Sequence, residues 1–371
     1  MKGRIVSLLA LAVLAGCGPS KQEQLRNVGG TWGPASVTHV RVQMQALGET
    51  PNNGLLLPAI SPDGRWIASL QYRGDTPPAL DSLWTGKNLA GMSLHLRELV
   101  EGGESRVVCP SGAIWPAWSP DGKQLAYVVH TGDGHCSLGL YDIAAGKTRR
   151  LNVGRDGIMS PAISPSGDAI AFASRDQAHG QARLFVLRLA DRKLIPCPSV
   201  RLGESHHWPT WTSDGRIVFL RQSPGESHIV HWKPETLPPE PLVSIAVPET
   251  TVGRFQSIAG LGCPLSPDAQ RFAYYDILCD RIVLLSLQGD EKRVELKPGT
   301  RAGCWFDSSR FVAATDSELR LFADSENSAL LVRGSWLPRE CARNTNQLIL
   351  CTRGAHRLEF HVIRMLVETE R

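Results

Sequence analysis

The chain has 371 residues, with 40 Lys and Arg against 36 Asp and Glu, a formal charge of +4, and 35 Gly beside 25 Pro. A balance this near neutral supplies no basic face for nucleic acid, and the turn-rich, 42% apolar composition suits a globular β protein. Beyond the first residues no second apolar run could span a bilayer.

Met1-Lys2-Gly3-Arg4 is a short basic segment, and Ile5 to Leu14 is an apolar run too short to cross a membrane alone. It ends in Leu14-Ala15-Gly16-Cys17-Gly18. That ending resembles the lipobox of bacterial lipoproteins, which implies a signal peptide over 1–16 and a lipid-modified Cys17. An ordinary signal peptide with a nearby Cys is the bland alternative. Several acyl chains on one residue anchor stably where a single chain does not. Gly18 in place of Asp resembles lipoproteins sorted to an outer membrane, which implies a domain facing the periplasm. Loss of Lys2 and Arg4 with the signal leaves a charge of about +2. Residues 17–36 carry little periodicity and read as a flexible tether. From Val37 to Met44 the pattern alternates with period two, which marks a strand.

From there to residue 371 one phrase recurs. Pro58-Ala59-Ile60-Ser61-Pro62-Asp63-Gly64 returns as Pro116-Ala117-Trp118-Ser119-Pro120-Asp121-Gly122 and as Pro161-Ala162-Ile163-Ser164-Pro165-Ser166-Gly167. Two more copies are Pro209-Thr210-Trp211-Thr212-Ser213-Asp214-Gly215 and Pro264-Leu265-Ser266-Pro267-Asp268-Ala269, with degenerate ones around Asp307 and Asn344. Pro presets φ for a type I turn, Asp caps its own turn, and Gly takes a positive φ. Strand-forming residues flank each phrase, so it reads as a hairpin. A further strand-like run and a polar final strand come after most hairpins, the layout of a four-stranded propeller blade. Turn positions 63, 121, 166, 214, 268, 307 and 344 are 58, 45, 48, 54, 39 and 37 residues apart, which gives seven blades. Six and eight are the neighbouring counts, because the last two phrases are weak. The last blade lacks a fourth strand, and the spare strand at 37–44 is placed to supply it and remove the open edges.

Ser-Pro-Asp-Gly-Lys/Arg-x-Ile/Leu-Ala-Phe/Tyr resembles the WD40-like repeat of the TolB family of β-propellers. The resemblance implies an all-β propeller over 37–371. It departs from the Tol-system protein in two ways: the chain has no room for that protein's amino-terminal α/β domain, and its blade count exceeds six. The Tol role therefore does not automatically transfer with the repeats.

Removing Cys17 leaves eight cysteines: Cys109, Cys136, Cys197, Cys263, Cys279, Cys304, Cys341 and Cys351. An even number in an oxidising compartment suggests at least one disulfide, with buried free thiols as the alternative and connectivity open. The strand pattern puts Cys341 and Cys351 on neighbouring strands of the last blade.

The chain has no Gly-x-Ser-x-Gly nucleophile elbow and no phosphate loop. Peptidases with similar propellers place catalysis in a separate α/β-hydrolase domain, for which seven blades leave no residues. His206, His207, His228 and His231 fall in the fourth unit. Oligogalacturonide lyases, propellers of similar repeat, hold a metal with histidines, so His206 and His207 form an alternative channel site. Adjacent strand residues face opposite ways, so each pair offers one His per face and the structural reading is preferred. No cofactor or metal is expected. Asp63, Asp121, Asp214 and Asp268 are read as turn-formers, and Trp118 and Trp211, which exchange with aliphatics in other repeats, as inter-blade core. Trp66, Trp84 and Trp232 fit no repeat position. The expected function is a monomeric, lipid-anchored scaffold that binds an envelope protein or peptide without catalysis; a lyase or glycan-active enzyme is the alternative. The insertion between Gly74 and Gly91, with Asp75, Asp81 and Trp84, is the candidate binding loop.

Overall fold

Each repeated phrase is a turn closed by its own side chains. Ser61 Oγ donates to Asp63 Oδ1 at 2.5 Å and accepts the Trp66 N–H at 2.9 Å, while Asp63 Oδ1 accepts the Arg65 N–H at 3.0 Å. The same set recurs at Ser119 with Asp121 and Ser266 with Asp268, whereas Thr212, bonded to Asp214, accepts the N–H of Arg216 four residues on rather than five. In the third copy Ser166 occupies the usual Asp position, and Asp168 two residues later takes over, accepting Ser164 Oγ at 2.8 Å and Ser166 Oγ at 2.6 Å. In the sixth copy Asp307 accepts the Ser309 and Arg310 N–H groups at 2.8 and 2.7 Å. Gly64, Gly122, Gly167 and Gly215 take φ from 69° to 78°, the left-handed region where a Cβ is strained. Ala269 holds that position in the fifth copy with φ 57°.

The computed structural model describes residues 24–29, 39–51, 59–74, 89–100, 102–131, 135–175, 180–198, 203–224, 226–236, 238–245, 264–276, 279–287, 293–300, 302–323, 328–335, 337–342, 347–353 and 359–369. These hold seven antiparallel sheets and no helix among the described residues. Blade 1 comprises Ala59–Ile60, Trp66–Tyr72, Met92–Glu98 and Ser105–Cys109. Blade 2 comprises Ala113–Trp118, Gln124–His130, Cys136–Asp142 and Lys147–Leu151. Blade 3 comprises Ile158–Ile163, Ala169–Arg175, Ala182–Arg188 and Leu194–Pro196. Blade 4 comprises Ser205–Trp211, Ile217–Ser223, Glu226–Trp232 and Glu240–Ile245. Blade 5 has Arg271–Asp276, Arg281–Ser286 and Arg293–Glu295, with a single bridge from Leu265 to Phe272 on its inner side. Blade 6 comprises Ala302–Trp305, Phe311–Ala314, Glu318–Phe322 and Ser328–Arg333. Blade 7 joins both ends of the chain: Leu337–Ala342, Gln347–Arg353 and Glu359–Thr369, then His39–Pro51, with Gln24–Gly29 outermost. The seven-bladed, all-β expectation is met, and so is closure by the early strand.

Period-two alternation sends each strand's two apolar sets to opposite neighbours. Ile217 and Phe219 pack with Leu184 and Val186 of blade 3, whereas Val218 and Leu220 pack with Phe272 and Val283 of blade 5. Blade 5 meets blade 6 through Ile282 against Phe311 and Phe322, and blade 6 meets blade 7 through Val312 and Leu319 against Val40 and Val42. Leu47 and Ile349 then meet Ile60 and Ile67 of blade 1, which closes the ring. Val40 and Val42 pair in register with Thr369 and Val367, so the seam carries ladder bonds as well as apolar burial.

Cys341 and Cys351 do lie on neighbouring strands, but Cys341 is opposite Leu348 and Cys351 opposite Leu337. An offset of three residues is about 10 Å along a strand, beyond the separation a disulfide spans. Cys109, Cys136, Cys197, Cys279 and Cys304 are free thiols. The expected signal (1–16), Cys17 and the loop residues Asp75, Asp81 and Trp84 lie outside the described residues, as does residue 344. So does the expected tether apart from Gln24–Gly29, which pairs with 39–44 as a strand.

Candidate functional site

The first strands of successive blades lie against one another around the axis. Three of them share a distortion. The register skips between Ile114 and Ala117, Met159 and Ala162, and His207 and Thr210. Within each skip the residue before the proline is left-handed: Trp115 at φ 57°, Ser160 at 48° and Trp208 at 52°. Such bulges re-aim side chains. In blades 2 and 4 the bulge belongs to a Trp-Pro-x-Trp segment, and its two indoles reach opposite neighbours. Trp115 packs on Met159 and Ala182 of blade 3, and Trp208 joins the cluster with Leu265 and Phe272 of blade 5. Trp118 Nε1 donates backward to Ala59 O at 3.2 Å, and Trp211 Nε1 to Ala162 O at 3.0 Å. Trp305 does the same to Pro264 O at 3.0 Å. All five tryptophans are inter-blade groups, as expected for Trp118 and Trp211. Trp118 and Trp211 are half-buried, whereas Trp305, which makes the same bond, is buried. Among those without a repeat position, Trp232 is fully buried and Trp66 lies under the Arg106 guanidinium, 4.9 Å from the ring centre.

The histidine candidates divide between the two faces of the first strand of blade 4. His206 is buried towards blade 3, with its ring 5.0 Å from that of Phe219. Its Nδ1 accepts the Leu184 N–H at 3.4 Å, and its Nε2 lies 3.1 Å from Glu204 Oε1. Burial pushes the imidazole pKa down, against the opposing pull of Glu204. The neutral ring therefore carries its proton on Nε2 and donates it to the carboxylate. Glu204 is itself buried, and Arg221, directly across the strand pair from His206, brings its Nε to 3.6 Å from the same oxygen. A buried carboxylate persists only with such compensation. Burial, and then the Glu204 charge, push the Cys197 thiol pKa upward, so it stays protonated and is no nucleophile.

His207 points the other way and its ring sits 5.6 Å from that of Trp208. Although its edge meets solvent, Nδ1 is covered and has no partner among the described residues. Enclosure, and then the neighbouring His206, hold this imidazole well below the ordinary range. His228 sits opposite Arg221 on the adjacent strand, and His231 Nε2 lies 3.1 Å from Glu240 Oε2. The four histidines are thus brought into one blade but not to one point, and no group of three or more metal-binding side chains forms among the described residues. The Glu204–His206–Arg221 network is absent from the sequence reading. The i, i+2 spacing of Glu204 and His206 signals one face of a strand, whereas Arg221 becomes visible only with the register.

Asp63, Asp121, Asp214 and Asp268 each serve their own turn and do not converge. Side-chain bonding by Arg216 and Thr212 brings Asp214 down to about 2, against the opposing effect of burial. A Cβ at Gly122 would come 3.7 Å from the Asp63 carboxyl carbon, so the turns of blades 1 and 2 stand side by side.

No family model matches the chain. It is 32% identical over 119 residues to "Protein TolB homolog" of Chlorobium chlorochromatii, a match covering 32% of this chain and 23% of the relative. It is 32% identical over 81 residues to "Tol-Pal system protein TolB" of Francisella tularensis, covering 21% and 18%. The matched stretches span about a fifth of the length of these curated relatives. An oligogalacturonate lyase solved in complex with manganese superposes with TM-score 0.55 at 12% identity over 95% of this chain and 98% of that one, a likeness of fold alone.

Proposed function

Because the chain is a TolB-like β-propeller in its repeats and its ring of seven blades, we propose that it acts as a cell-envelope scaffold that binds a protein or peptide partner and carries no catalysis of its own. In this reading Cys17 bears the lipid anchor, the propeller faces the periplasm from the outer membrane, and the insertion around Asp75, Asp81 and Trp84 supplies a binding loop. The observation that supports binding over chemistry is the fate of the buried histidine: both ring nitrogens of His206 are engaged, by Leu184 N–H and Glu204. The name of the Francisella relative places that protein in a Tol-Pal system, which supports an envelope partner. A second reading, a lyase-like site using His206 and His207, rests on the covered Nδ1 of His207, which has no partner among the described residues.

The test is in-cell crosslinking of the tagged, full-length protein with metal analysis of the same purified sample. A reproducible envelope-protein partner with no stoichiometric metal supports the scaffold. Bound metal that is lost in His207→Ala, with no partner captured, overturns it in favour of the second reading. Deletion of 75–90 that leaves folding and capture unchanged removes the loop assignment alone.

A further inference from the structure

Propeller blades end on an open strand, and their rims differ in charge. Along the outer parts of blades 3 to 6 five cations meet carboxylates. Arg188 lies 2.6 Å from Asp191 and 3.1 Å from Glu235, and Lys193 also meets Glu235. Arg281 and Arg293 share Glu295 at 2.6 and 2.9 Å, and Arg320 lies 3.0 Å from Glu318.

Blade 2 breaks this pattern. Its outer strand, Lys147–Leu151, exposes Lys147, Thr148, Arg149 and Arg150 in succession. Lys147, Arg149 and Arg150 have no ion-pair partner among the described residues. The strand pairs on one side with Cys136–Asp142, and nothing described pairs with its other side. Thr148 bonds the Tyr127 hydroxyl at 3.0 Å, which fixes the register of the faces: Thr148 and Arg150 point to one side, Lys147 and Arg149 to the other. On the neighbouring rim Arg106 is also exposed, with its guanidinium 4.9 Å from the Trp66 ring and 5.5 Å from Tyr141.

Lys on an edge strand commonly guards against edge-to-edge pairing. Here the guard is three cations within four residues, distributed over both faces, whereas Arg188, Lys193, Arg281, Arg293 and Arg320 on the other rims each meet a carboxylate. We infer that the outer edge of blade 2 receives an acidic protein segment as an added strand. The inference rests on the scaffold reading and names the chemistry of its partner. An added strand bonds to the free backbone edge and sets its side chains cross-strand from cations on both faces. A flat anionic membrane would meet the cations of one face only, which favours the extended peptide.

The probe is a fluorescein-labelled ten-residue peptide of repeating Glu-Glu-Thr-Thr, which sets Glu on both faces of a strand, titrated into the full chain. Its control carries the same charge with Pro in place of every second Thr, which removes backbone donors from the ladder. The Glu-Thr peptide is expected to bind. The triple variant Lys147→Glu, Arg149→Glu, Arg150→Glu should bind it at least about tenfold more weakly, three cross-strand pairs being reversed. The Pro peptide should not bind. These side chains are exposed, so the fold should persist, as far-UV dichroism checks. Equal binding of the two peptides, or an unaffected triple variant, overturns the added strand, and binding only to phosphatidylglycerol vesicles assigns the edge to a membrane instead. If the triple variant still captures its envelope partner by crosslinking, the edge assignment falls while the scaffold reading stands.

Discussion

Acid should destabilise this propeller through His130, and the size of the effect can be worked from its surroundings. His130 is buried in blade 2 with Nδ1 3.2 Å from the Cys136 sulfur, and no carboxylate bonds it among the described residues. Burial lowers its pKa from 6.5 to about 4. A histidine with a depressed folded pKa is protonated first in the unfolded chain. Stability is therefore full above pH 6.5, declines as pH falls towards 4, and levels off below it. Between pH 7 and pH 5 the linkage relation gives a loss of roughly 2 kcal/mol from this one residue. His130→Leu keeps approximately the volume and removes the titration. Urea unfolding of parent and variant at pH 7 and pH 5, monitored by Trp fluorescence, yields the difference of differences, in which the other histidines cancel. The variant should lose about 2 kcal/mol less than the parent over that interval. Equal losses in both proteins would refute the claim that His130 is held neutral by burial.

Turn geometry makes opposite predictions at two equivalent positions. Gly215→Ala meets open space but a φ of 78°, and should cost about 1 kcal/mol in urea unfolding, whereas Ala269→Gly relieves a φ of 57° and should not destabilise. Trp211→Phe keeps the ring but removes the 3.0 Å bond to Ala162 O, for an expected loss of about 1 kcal/mol by the same assay. Cys341 and Cys351, set three register positions apart, should not cross-link to each other; peptide mapping under non-reducing conditions checks this, and a 341–351 linked peptide would show the register to be wrong.

The turns were the most legible part of the chain because their chemistry is local: Ser61, Pro62, Asp63 and Gly64 supply every group that closes the turn. Even the degenerate Asp307 copy could be aligned, since its carboxylate still caps the next N–H groups. Closure of the ring by the spare early strand was readable because blade 7 lacked a strand and open edges are disfavoured. The candidate site was less legible. His206 was visible, but whether it served a ligand or the core depended on Glu204 and on Arg221, which only strand register brings opposite. The matching of Trp305 with Trp118 and Trp211 was hidden because Phe306 replaces the turn Ser that anchors the alignment. Rim electrostatics could not be read at all, since Glu235 neutralises Arg188 across 47 residues of sequence.

Blade 7 imposes an order of events on this molecule. Its strand His39–Pro51 emerges early in synthesis, yet its partner Glu359–Thr369 comes about 300 residues later. Until then the edge of the early strand that meets Glu359–Thr369 must stay unpaired, or pair wrongly, with Val40 and Val42 uncovered. Contacts this distant in sequence form slowly and leave adhesive edges exposed meanwhile. The fastener that closes the finished ring thus makes the nascent chain dependent on delay, and a chain cut short by even its final strand would retain an open seam.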